Sequence, residues 1–158
     1  MGTDCFIKFD GVSGESTDAA HKGSIDVLAW SWGVANAPLA TGSGSGAGKA
    51  VPAPLVFQHR YDKASPPLGR LCASGLHVKQ VKLTARHPAA GLPDFLVVTM
   101  KDVLVSQVQV ALAADGSLQE SVSLVYGDIE FAYKPQTPAG ALGAAVKFGW
   151  DTQRNVVR

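Results

Sequence analysis

"DFLVVTMKDVLVSQVQVALAADGSLQESVSLVYGDIEFAY", residues 94–133, reads as two long strands facing each other across a tight turn. β-Branched and aromatic residues fill both halves, and Ala114-Asp115-Gly116-Ser117 separates them with turn chemistry. In the first half both parities are apolar: Phe95, Val97, Val103 and Val105 on one side, Leu96, Val98, Met100 and Leu104 on the other. Such a strand is covered on both faces. In the second half the apolar parity changes, from Val122, Leu124 and Tyr126 to Ile129, Phe131 and Tyr133. A strand with a period of two changes face only through an extra residue or a sharp bend. A bulge or corner is therefore expected between Val125 and Gly127. Long, bent, two-sided strands predict a mainly β fold: a two-sheet β-barrel or sandwich whose outer face packs on a neighbour.

Further strands extend outward from this pair. "CFIKF" (5–9) ends at the turn Asp10-Gly11, and "SIDVLAWSWGV" (24–34) is rich in aromatic and β-branched residues. "LVFQHRY" (55–61), "HVKQVKLTAR" (77–86, with a phase slip near Gln80) and "AAVKFGWDT" (144–152) complete the set. One short helix flanks the strands in "ASPPLGRLCASG" (64–75). Ser65 is its expected N-cap, Pro66 its first residue, Leu68, Leu71 and Cys72 its apolar stripe, and Gly75 its stop. The expectation is a single domain over residues 1–158 with an extended loop at about 36–54.

The chain has 158 residues, of which 46% are hydrophobic but only 17% charged, against about 25% in a typical soluble domain. So few charges suit a surface largely covered by another copy of the same chain. A net charge of +1 with scattered basic residues points away from nucleic acid. No run reaches the roughly 18 apolar residues of a membrane helix, and "MGTDCFIKFDG" lacks the pattern of a signal peptide. Synthesis in the cytoplasm is expected, with Cys5 and Cys72 reduced and buried.

"TGSGSGAGKA" (41–50) ends in Gly48-Lys49 like a phosphate loop, but Ser43 stands where the first glycine belongs and Ala50 replaces the magnesium hydroxyl. Pro52 and Pro54 forbid the helix that should follow. "GVSGES" misses the nucleophile elbow because Glu15 replaces its second glycine. His21, His59, His77 and His87 lie outside metal-ligand spacing and read as surface or strand histidines. Asp102, Asp128 and Glu130 read as strand carboxylates facing solvent or lysine. Trp30, Trp32 and Trp150 could stack on a sugar in a carbohydrate- or small-ligand-binding β-sandwich, though core anchors fit better. The reading is a non-enzyme with no catalytic residue, cofactor or metal.

The ordered set "DCFIKFDGVSGES", "IDVLAWSWG", a glycine-rich loop, "FQHRYDKASPPLGRLCASG", "VKLTAR", "VTMKDVLVSQVQV" and "VKFGWDTQRNV" resembles the haemolysin-coregulated proteins (Hcp) of type VI secretion. "TARHPAAGLPD" departs from the charged turns usual there. The resemblance implies a fold like that of phage tail-tube subunits, homohexameric rings stacked into a tube, and a contractile sheath and spike protein as partners. It also implies small effector proteins carried in the lumen and export without a signal peptide. The family's long loop, which reaches a neighbouring subunit or ring, falls here on Asn36 to Pro54, with Thr41, Gly44, Gly48 and Lys49 between them. In "LAWSWG", Trp30 and Trp32 share one strand face, so Ala29 and Ser31 share the other and are the candidate lumen residues.

Overall fold

The computed structural model describes residues 2–37, 49–88 and 92–158. Thr41, Gly44 and Gly48 lie outside the described residues. The elements are β1 (Asp4–Phe9), β2 (Ile25–Val27), β3 (Ala29–Ser31), β4 (Val34–Asn36), β5 (Ala50–Pro52) and β6 (Leu55–Arg60). They continue with α1 (Ser65–Ser74), β7 (Val78–Arg86), β8 (Asp94–Leu112), β9 (Leu118–Tyr133), β10 (Val146–Asp151) and β11 (Val156–Val157).

The 19-residue β8 and 16-residue β9 form the expected hairpin, with Leu112 opposite Leu118 at its end. Its turn is closed by Ala113 N–H donating to Ser117 O (2.8 Å) and Gly116 N–H donating to Ala113 O (2.9 Å). The face switch in β9 falls where the parity placed it. Burial runs through Glu120, Val122 and Leu124, then shifts to Gly127 and Ile129. β8 turns the same corner, from Val98 and Met100 to Val103 and Val105, with Asp102 in the left-handed region at φ 53°. A second irregularity, in β8 alone, was not expected. Ser106 is an extra residue between Val105 and Gln107, and it shifts the inward parity of β8 from Val105 to Val108 while β9 keeps its alternation through Glu120, Val122 and Leu124.

All the strand pairs are antiparallel. One nine-stranded sheet runs β11-β10-β9-β8-β7-β1-β2, with β6 also on β9 and β3 on β6. The first half of β9 carries β6 (Gln119–Leu124) and its second half carries β10 (Asp128–Tyr133). The sheet curls, and the segment Ile25–Ser31 spans its two ends. β2 pairs β1 and β3 pairs β6, with Leu28 N–H donating to Gln58 O (2.8 Å) at the switch.

That switch corrects the expected two-sheet barrel. The ladder is interrupted at Leu28, so this is a curled open sheet plus a separate β4–β5 ribbon rather than a closed barrel. The class, mainly β with one short flanking helix, stands.

Phe9, Phe57, Leu55, Met100, Leu124 and Ile129 fill the inside of the curl and are fully buried. Each such side chain stabilises the fold by about 1.5–3 kcal/mol. α1 packs against β8 through the fully buried Leu68, with Leu71 and Cys72 half-buried beside it. Its end is as expected, with Gly75 at φ 71° donating to Leu71 O. Its start is not. Ser65 is already helical, Ala64 precedes it without a side-chain cap, and the Ala64 N–H is taken by Asp62 (2.8 Å). Ser65 Oγ instead accepts from Asp62 N–H (3.1 Å). Gly14 is required by proximity, since a Cβ there would sit 2.5 Å from Ser24 O.

Candidate assembly surfaces

Two surfaces carry the residues singled out from the sequence. The first is the exposed β4–β5 ribbon. Asn36 pairs with Ala50, Ala35 with Val51 and Val34 with Pro52, so a hairpin stem replaces the first and last parts of the expected loop. Val34, Asn36, Lys49, Val51 and Pro54 are all exposed. The base of the ribbon is tied down. Tyr126 Oη donates to Ala53 O (2.8 Å) and accepts from the Trp32 indole N–H, and Ala53 N–H donates to Gly33 O (2.9 Å). Burial pushes the Tyr126 phenol above its ordinary range, so it remains a donor.

The second is the outer face of β3, β6, β9 and β8. The register aligns Ala29, Gln58, Ser121 and Gln109 in one row, and Ser31, Val56, Ser123 and Gln107 in the next. Ala29 and Ser31 are exposed, while Trp30 and Trp32 turn inward onto the core. No side chain in these two rows is charged. Sequence reading found Ala29 and Ser31 through tryptophan parity but missed the glutamines and serines, because their alignment depends on the Ser106 bulge.

The remaining candidates are held in structural pairs. Trp150 is 3% exposed and donates to Asn155 Oδ1 (3.2 Å). Asp102 is bound by His77 Nδ1 (2.6 Å) and Gln153 Nε2 (3.0 Å), and the His77 hydrogen bond holds its carboxyl below the usual range. Asp128 takes both terminal nitrogens of Arg158 at 2.8 Å, and Glu130 lies opposite Thr99. His21 Nε2 lies 2.9 Å from Asp94, with its Nδ1 3.5 Å from Thr84 Oγ1. That chain has the order of a nucleophilic triad, but its second link is at the limit of a hydrogen bond and Thr84 is only 6% exposed. Arg86 forks onto Asp18 and lies over the Phe6 ring, whose other neighbour is the stacked His21. Cys5 and Cys72 are free and half-buried. No described helix is long and apolar enough to cross a membrane.

A curled antiparallel sheet built on one cornered hairpin, with a short helix and an exposed ribbon, defines a mainly β protein whose singled-out residues lie on surfaces rather than in a catalytic cleft. Residues 6–133 match the family described as type VI secretion system effector, Hcp. The chain is 41% identical over 160 residues to Protein hcp1 of Pseudomonas aeruginosa, covering 99% of each chain. It is similar to the crystal structure of Hcp1 from Salmonella typhimurium (34% identity, all of both chains, TM-score 0.83). A solved type six secretion system protein aligns at 30% identity and TM-score 0.91, over 99% of this chain and 100% of that one. The chain belongs to the Hcp family.

Proposed function

We propose that this chain is the structural subunit of the type VI inner tube. It forms homohexameric rings that stack into a tube, are exported by the sheath together with the spike protein, and carry small effector proteins in the lumen. It acts as one domain, without catalysis, cofactor or metal. The observation that carries the reading is the pair of uncharged rows that crosses β3, β6, β9 and β8 from Ala29 to Gln109 and from Ser31 to Gln107. A wall of serine, alanine and glutamine offers hydrogen bonds to a passing polypeptide without selecting its charge, which suits a conduit. The exposed β4–β5 ribbon supports stacking, because an unpaired ribbon edge is a template for a neighbouring chain.

Light scattering and negative-stain microscopy of the purified chain test this together. A mass near six subunits with ring-shaped particles is expected, and replacing residues 38–48 by a short turn should preserve rings while weakening their stacking. A monomer at micromolar concentration overturns the reading.

A further inference from the structure

The clefts of the molecule sort its charge by place. Around Asp26, five carboxylates converge: Asp4 and Asp26 from β1 and β2, Glu15 and Asp18 from the segment between them, and Asp62 after β6. Arg86 and Arg60 stand among them, and Arg86 is already forked onto Asp18. Among the described residues, Glu15 and Asp62 accept only backbone N–H groups as hydrogen-bond donors, from Lys63 (2.7 Å) and Ala64 (2.8 Å), with Asp62 also 3.8 Å from the His59 ring. Leu28, 48% exposed, and Tyr61 lie within this acidic surface.

Past the other end of β1, a cleft of about 450 Å³ runs beside α1. Val12, Pro67, Leu71 and Val78 line it, with Arg70, Lys79 and His77 contributing positive or protonatable groups and Asp10 the one carboxylate. Neither Arg70 nor Lys79 has an ion-pair partner among the described residues, whereas His77 is bound to Asp102. Leu76, next to His77, is 64% exposed. Phe6 pairs with Asp26, and Asp10 lies four residues further along, so β1 separates the two surfaces by about 14 Å at its rise of about 3.4 Å per residue.

We infer that these surfaces are the two halves of one head-to-tail contact between copies of this chain: the acidic surface around Asp26 receives the Arg70–Lys79 edge of the next copy. Each surface pairs unneutralised charge with an exposed apolar side chain, and the two charges are opposite in sign. A contact between two different surfaces of the same chain is heterologous, so it repeats into a closed ring or a filament. Exposed ion pairs contribute little individually. Their part is to set register and partner choice, while Leu28, Tyr61 and Leu76 supply the area removed from water. The inference rests on the self-assembly proposed above and names the surfaces that make it.

Charge reversal in the full chain tests it. One variant carries Glu15→Lys with Asp26→Lys, a second carries Arg70→Glu with Lys79→Glu, and a third carries all four. Circular dichroism checks folding, and Asp26→Asn with Arg70→Gln serves if a reversal fails to fold. Light scattering in 0.15 M salt should show each two-site variant dissociating at concentrations at least tenfold higher than the unaltered chain. The four-site variant, and an equimolar mixture of the two two-site variants, should regain assembly. Two-site variants that assemble like the unaltered chain overturn the inference and leave the tube reading standing. So does a loss that neither combination restores, which assigns these charges to a different partner. An unaltered chain that is monomeric at every salt concentration overturns the tube reading itself.

Discussion

His59 Nε2 lies 2.8 Å from Glu120 Oε1 across the β6–β9 pair, and both side chains are all but sealed from water, at 1% and 2% exposure. His59 Nδ1 has no hydrogen-bond partner among the described residues, with Asp62 Oδ1 3.8 Å away. Buried polar groups of this kind depend on each other, because removing one leaves the other desolvated and alone. Glu120→Ala is expected to destabilise the chain by about 3–5 kcal/mol. Replacing both residues by apolar ones of similar size should cost less than the single change. Urea unfolding of the three variants checks this, and a double replacement costing the sum of its parts counts against the coupling.

Gly149 is a seat for Arg158. A Cβ at position 149 would lie 2.7 Å from Arg158 Nε, whose guanidinium forks onto Asp128. Gly149→Ala should displace this flexible side chain rather than the backbone, removing a solvent-screened pair and lowering the melting temperature slightly. Arg158→Ala should cost about the same, and adding Gly149→Ala to it should cost almost nothing further. A double-mutant cycle by thermal denaturation reads the coupling, and additive losses would show that the two residues act separately.

The acid limb of stability should depend on Asp18. The Arg86 hydrogen bonds hold its carboxyl below the usual carboxylate range. Its folded pKa is therefore lower than its unfolded one. The stabilisation is complete above the ordinary value of about 3.9 and is lost as pH falls through the folded value. Asp18→Asn should lower the melting temperature at pH 6 and reduce its fall between pH 4 and 2. Parallel curves for the two proteins across that range would disprove the assignment.

Ser31 and Trp30 should respond oppositely to substitution. Ser31→Gln adds bulk to an exposed position and should leave ring mass and melting temperature unchanged while lowering retention of a co-expressed effector. Trp30→Ala removes a half-buried indole packed on the core and should cost about 3 kcal/mol, the low end for a large aromatic. If Ser31→Gln breaks the ring, the face assigned to the lumen is an interface instead.

Local chemistry determined much of this protein before any tertiary contact is considered. Two-residue alternation placed the strands, Ala114–Ser117 placed the turn, the parity change placed the corner at Val125–Gly127, and tryptophan spacing turned Ala29 and Ser31 outward. These features follow from backbone period and side-chain polarity within one segment. Pairing across segments followed other rules. The Ser106 bulge, the break at Leu28 that leaves the sheet open, the β4–β5 stem and the His59–Glu120 pair join residues 14 to 61 positions apart, or depend on such joins. A glutamate in an alternating strand is read as solvent-facing unless its partner is known. Only the curl of the sheet, which sets β6 against β9, brings His59 to Glu120 and lines up Gln58, Ser121 and Gln109 into one uncharged wall.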